Sequence, residues 1–176
     1  MLTSDMKRLV LEQKLGFAAT VCPDGTPNLS PKGTTTVWDD DHLIFADIHS
    51  PGTVRNLELN PSIEINVVDP FVRKGYRFKG VATVHSNDDV YAEALSLLAE
   101  RGYQTVPNRI AHIVLVEVRK ASQLISPAYD AGASEAEVRA RWLRHFDALN
   151  SGDPTSTLDA PHDRRGRKNS RGPIDR

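Results

Sequence analysis

Along this chain, apolar residues recur alternately two apart and three to four apart, and each change of period marks a new element. Met6, Leu9, Val10 and Leu11 fall roughly on one face of a short helix, which Thr3 or Ser4 can cap and Gly16 ends. GFAATVC then reads as a strand. Pro23-Asp24-Gly25-Thr26 reads as a turn whose special backbone angles Gly25 supplies, and Pro27 to Trp38 as a second strand completing a hairpin. Asp39-Asp40-Asp41 makes the next turn and HLIFAD a third strand, so the pattern predicts an antiparallel meander. Ser50-Pro51 opens a short helix with Val54 and Leu57 turned inward, and Asn60-Pro61 stops it.

In SIEINVVD, Ile63, Ile65 and Val67 alternate with polar neighbours, the pattern of a half-buried strand. YRFKGVATVH follows as another strand. Asp88 or Asp89 caps a helix reaching about Arg101, with Tyr91, Ala94, Leu95 and Leu98 on one face. RIAHIVLVEV, from Arg109 to Val118 and bounded by Pro107-Asn108, is the most apolar strand. Ser134 opens a last helix, with Glu135 and Glu137 in its first turn and Arg141, Arg144 and His145 in its last. The expectation is one domain over residues 1–149, mainly β with peripheral helices, built as a six-stranded antiparallel barrel, closed or partly closed.

Composition narrows the reading. The 39% hydrophobic content is low, but the shortfall sits in roughly the last 25 residues, so 150–176 are expected to be a disordered tail. A net charge of −1 gives no global basic field, so no nucleic-acid partner is expected. The RRGRK run at 164–168 is offset by Asp153, Asp159, Asp163 and Asp175. No apolar run approaches the roughly 18 residues that cross a bilayer, and the acidic, amphipathic start is not that of a signal peptide. Cys22, the single cysteine, excludes an intrachain disulfide framework and a cysteine-based zinc cluster, so the expected location is the cytoplasm. No metal site is expected, because His42, His49 and His85 lack ligand spacing and His112 reads as a core histidine.

Two loops carry candidate chemistry. In the first, Ser30, Thr34, Thr35 and Thr36 crowd hydroxyls beside Lys32, Pro31 points to an edge strand, and Gly33 removes a side chain where a ligand or another backbone approaches. A solvated, threonine-rich edge strand is the plainer reading of the same residues. In the second, Ser50, Gly52, Thr53 and Arg55 offer free N–H groups, hydroxyls and a cation at a helix start, a ready anion site. There, too, Ser50 as a simple cap and Arg55 as a surface residue suffice. In RKGYRF, alternation puts Tyr76 and Phe78 on one face and Arg77 and Lys79 on the other, as core aromatics with solvated cations.

From Leu9 to Leu124 the chain resembles the split-barrel flavin-binding family that includes pyridoxamine-phosphate oxidase and small bacterial FMN-binding proteins. The resemblance rests on GFAATVCPDGTPNLSPKG, LIFADIHSPGTVRNLELNP, SIEINVVDP and YRFKGVATV. It implies an FMN-binding split barrel and a two-fold homodimer with the flavin at the interface. It also implies hydride or electron transfer to a small-molecule substrate. By position, Ser30, Pro31, Lys32, Gly33, Thr34 and Thr35 would line the flavin, and Ser50, Gly52 and Thr53, with Arg55, would hold its phosphate. Asp47 would lie close to the ring. No catalytic residue follows.

The oxidase has arginine at the position of Ser30, lysine at that of Thr35, and Ser-Arg-Lys in place of Pro51-Gly52-Thr53. Lys32 and Arg55 therefore remain as counter-charges, which weakens flavin affinity. The oxidase's C-terminal substrate segment has no counterpart after Leu124, which argues against pyridoxamine phosphate as substrate. A deazaflavin coenzyme or haem on the same fold, with Lys74 and Arg77 as the cations for a deazaflavin tail, is the first alternative. A non-catalytic dimeric ligand-binding barrel is the second.

Overall fold

Thr3 caps the first helix, α1 (Ser4–Gln13), by accepting from the Met6 N–H. Gly16 does not end it. Lys14 takes the left-handed turn at φ 51°, and Gly16 begins β1 (Gly16–Val21). The structure, a computed structural model, describes residues 1–103 and 109–151. The remaining order is β2 (Pro27–Lys32), β3 (Thr36–Val37), β4 (His42–Asp47), α2 (Pro51–Leu59), β5 (Ser62–Asp69), β6 (Lys74–His85), α3 (Asp89–Glu100), β7 (His112–Ile125) and α4 (Glu135–Ser151).

The strands form one antiparallel sheet in the order β2-β1-β5-β6-β7-β4-β3. Seven strands replace the expected six because the run Pro27–Trp38 breaks at residues 33–35. Its first half pairs with β1 and its second with β4, at opposite edges of the sheet. In a flat sheet those edges would stand about 29 Å apart, at about 4.8 Å per strand spacing. The link from Lys32 to Thr36 spans at most about 15 Å. The sheet must therefore curl until its edges approach, and it does so as a half-barrel of the split-barrel type.

Phe45, Phe78, Leu43, Ile65, Val67, Val114 and Val116 fill the barrel. A second cluster, Ile44, Ala46, Ile113, Ala94, Leu98 and Ile110, lies outside the sheet under α3. Both faces of β4 are thus covered, which explains the unbroken apolar run LIFA at its centre. Tyr76 and Phe78 are buried as alternation predicts, while Arg77 and Lys79 pair with Glu64 at 2.9 and 3.4 Å. A bulge at Arg119 shifts the β6–β7 register beside Gly80, where a Cβ would stand 2.1 Å from the Glu117 carbonyl oxygen.

The last helix is longer than expected. Ser134 and Glu137 cap it reciprocally, and it runs to Ser151, so Arg141, Arg144 and His145 lie well short of its end. Pro107-Asn108 and the tail from residue 152 onward, including RRGRK, lie outside the described residues.

Candidate functional site

Lys32 ends β2 on its inward face, in the same row as Ser30 and Asn28, and is only 3% exposed. Its ammonium donates to Ser50 Oγ at 2.5 Å and to Thr53 Oγ1 at 3.3 Å, at the start of α2. The two hydroxyl-rich loops therefore meet. Burial pushes the Lys32 pKa down, and the nearby Asp47 carboxylate opposes that shift. The ring of Phe45 lies 5.4 Å from the ammonium.

Asp47, at the end of β4, is 4% exposed. Its Oδ1 accepts from the Ser50 N–H at 2.8 Å and from Ser50 Oγ at 3.0 Å. Its Oδ2 lies 3.3 Å from Nδ1 of His112, whose Cα is paired with that of Asp47 across β4 and β7. Ser50 occupies the N-cap position of α2, but its side chain makes no capping bond and joins lysine to aspartate instead.

The other sequence candidates separate. Gly33, Gly52 and Arg55 are exposed, and no protein atom lies within 4 Å of a Cβ built on either glycine. Neither glycine has a positive φ, so the backbone itself does not demand them. Thr34 and Thr35 are buried and hold the crossover. Thr34 Oγ1 accepts from the Ala46 N–H at 2.8 Å, and Thr35 Oγ1 donates to the Lys32 carbonyl at 2.9 Å. Pro31 faces outward on the edge strand, where its missing N–H costs the ladder nothing. Ser30 points inward.

A cleft of about 400 Å³ opens over the α2 start, lined by Asp47, His49, Ser50, Arg55, Glu58 and His112 among others. That volume suits a small ligand. Two features around the α2 start were not legible in the sequence. Asn56 is buried and donates to Thr20 Oγ1 at 3.0 Å, tying α2 to β1. His112 is not enclosed in the core, because its side chain is one-third exposed (33%) and faces Asp47. Among the described residues no group of three or more histidine, cysteine or carboxylate side chains is arranged to hold a metal ion. No helix among them is long and apolar enough to cross a membrane.

HupZ of Group A Streptococcus is 31% identical over 72% of this chain and 96% of that chain, with a TM-score of 0.64. HutZ, the heme storage protein from Vibrio cholerae, is 21% identical over 70% of this chain and 94% of its own (TM-score 0.55). An FMN-binding protein from Syntrophomonas wolfei is 14% identical over 68% and 84% (TM-score 0.55). The last two likenesses are of fold. No curated protein matches the chain. Residues 2–126 match the pyridoxamine 5'-phosphate oxidase family, and the chain belongs to it.

Proposed function

We propose that this protein binds FMN at the Lys32–Ser50–Thr53 junction and works as a flavin-dependent redox protein on a small-molecule substrate. One observation carries the reading: a buried ammonium whose hydrogen-bond partners are two neutral hydroxyls joins the two loops at a helix start. The residues present fit a phosphorylated, ring-bearing group. Gly33 and Gly52 leave room beside the backbone, and Arg55 stands on the cleft wall together with Glu58. A bound flavin supplies hydride or electron transfer; Lys32, Thr53 and Arg55 would hold and orient it. The fold-level likeness to an FMN-binding protein agrees.

A two-fold homodimer belongs to the same proposal. The outer face of β1 and β2 exposes Phe17, Val21 and Leu29 together with Pro27 and Pro31, an apolar patch on the edge of the sheet. The test of the cofactor is direct: purify the protein, record its visible spectrum and titrate it with FMN. A colourless protein that leaves flavin fluorescence unquenched would exclude the reading.

Haem is the second reading, and His112 favours it. An imidazole one-third exposed, with Nδ1 turned to a buried carboxylate, leaves Nε2 for a metal. Titration with haem in competition with FMN separates the two. A Soret shift lost in His112→Ala supports haem.

A further inference from the structure

The start of α2 looks like an anion site, but the protein has already supplied an anion to it. Of the N–H groups around this terminus, that of Ser50 donates to Asp47 and that of Thr53 to the Ser50 carbonyl, at 3.0 Å, while Pro51 has none, which leaves that of Gly52. Ser50 Oγ also donates to Asp47, so the hydroxyl that Lys32 touches passes that charge on to a carboxylate rather than to a ligand. The formal charges around the cleft balance as well. Lys32 and Arg55 stand against Asp47 and Glu58, with His49 and His112 the other titratable groups on its wall. A dianionic phosphate entering here gains little net attraction, because Asp47 already acts on Lys32 and Glu58 adds a second negative charge to the wall that carries Arg55.

We infer that Asp47 is a specificity-determining residue of the flavin site. It cancels the attraction for the phosphate, so the site takes a flavin by its ring and ribityl chain and holds riboflavin about as well as FMN. The inference rests on the flavin reading above and fixes the class of flavin that reading admits. It also separates the roles of the two buried charges. Lys32 keeps Asp47 from repelling the ligand outright, and Asp47 keeps Lys32 from selecting for phosphate.

The experiment is a pair of titrations, FMN and riboflavin, followed by flavin fluorescence on the unaltered protein and on Asp47→Asn. Asparagine keeps an oxygen to accept from Ser50 and removes only the charge. The unaltered protein should bind the two flavins within about tenfold of each other. In Asp47→Asn, FMN should tighten by about tenfold or more while riboflavin stays within about threefold. An unaltered protein that prefers FMN more than a hundredfold overturns the inference, whether or not the variant folds. So does a folded Asp47→Asn with an unchanged FMN-to-riboflavin ratio. In either case the flavin reading survives, because FMN binds. If the unaltered protein binds neither flavin, the flavin reading itself falls, and the inference with it.

Discussion

At the scale of single residues, Lys32 and Asp47 are the two buried charges around which the candidate site is organised, and they reach each other through the hydroxyl of Ser50. Replacing Lys32 with methionine leaves Asp47 without its nearest cation. FMN binding should then weaken by about tenfold and riboflavin binding by less, as read by fluorescence titration. Equal losses for both flavins would mean that Lys32 shapes the site without acting by charge. Tyr103 supports the site differently. Its hydroxyl donates to the Thr35 carbonyl at 3.1 Å, and burial pushes its pKa above the ordinary 10.0. A group raised in the folded state stabilises fully below its unfolded pKa and stops doing so as pH rises through the folded one. Alkaline unfolding above pH 10 should therefore be shallower in Tyr103→Phe than in the unaltered protein, measured as midpoint against pH. Parallel curves for the two proteins would contradict the assignment.

At the scale of elements, the crossover at residues 33–35 depends on α3. The Arg101 guanidinium donates to the Val37 carbonyl and, at 2.7 Å, to Thr36 Oγ1. Lys14 in turn donates to the Arg101 carbonyl at 3.2 Å and lies 5.1 Å from the Tyr103 ring centroid. A two-residue edge strand cannot hold its own register, so these donors do it from outside the sheet. Arg101→Ala should cost about 1.5–3 kcal/mol in urea unfolding, the worth of a charge-assisted hydrogen bond with its partners left in place. The β6–β7 bulge makes a second prediction. A Cβ at Gly80 meets backbone, not a movable side chain, so Gly80→Ala should destabilise by at least about 2 kcal/mol. A neutral result would show that the bulge can relax.

At the scale of the whole molecule, the uncovered face of β1 and β2 is where the proposed dimer would form. Phe17 and Leu29 are 42% and 65% exposed, and the neighbouring β5–β6 surface carries Glu64, Arg77 and Lys79 as a charged rim. An apolar centre with a polar rim is the composition of a self-complementary interface. Light scattering on the purified protein should give the mass of a dimer, and Phe17→Glu with Leu29→Lys should give a folded monomer. A monomer in the unaltered protein would remove the dimer from the proposal.

Much of this architecture is a consequence of local chemistry and so stands in the sequence. The alternation of Ile63, Ile65 and Val67, the Gly25 turn with its φ of 81°, and Pro31 on an edge strand are properties of a few adjacent residues. The candidates Lys32, Ser50 and Thr53 were legible for the same reason, since a cation among hydroxyls and a serine before a helix start are local patterns. The break at residues 33–35 was not, because a threonine run suits a strand. Only the buried bonds from Thr34 to the Ala46 N–H and from Thr35 to the Lys32 carbonyl turn it into a crossover. Nor was the pairing of Asp47 with His112, 65 residues apart and adjacent only because β4 lies beside β7. The sequence by itself determined the elements and the groups able to hold an anion. Whether those groups face a ligand or each other was decided by the closing of the sheet, because charge balance depends on distances that no local pattern encodes.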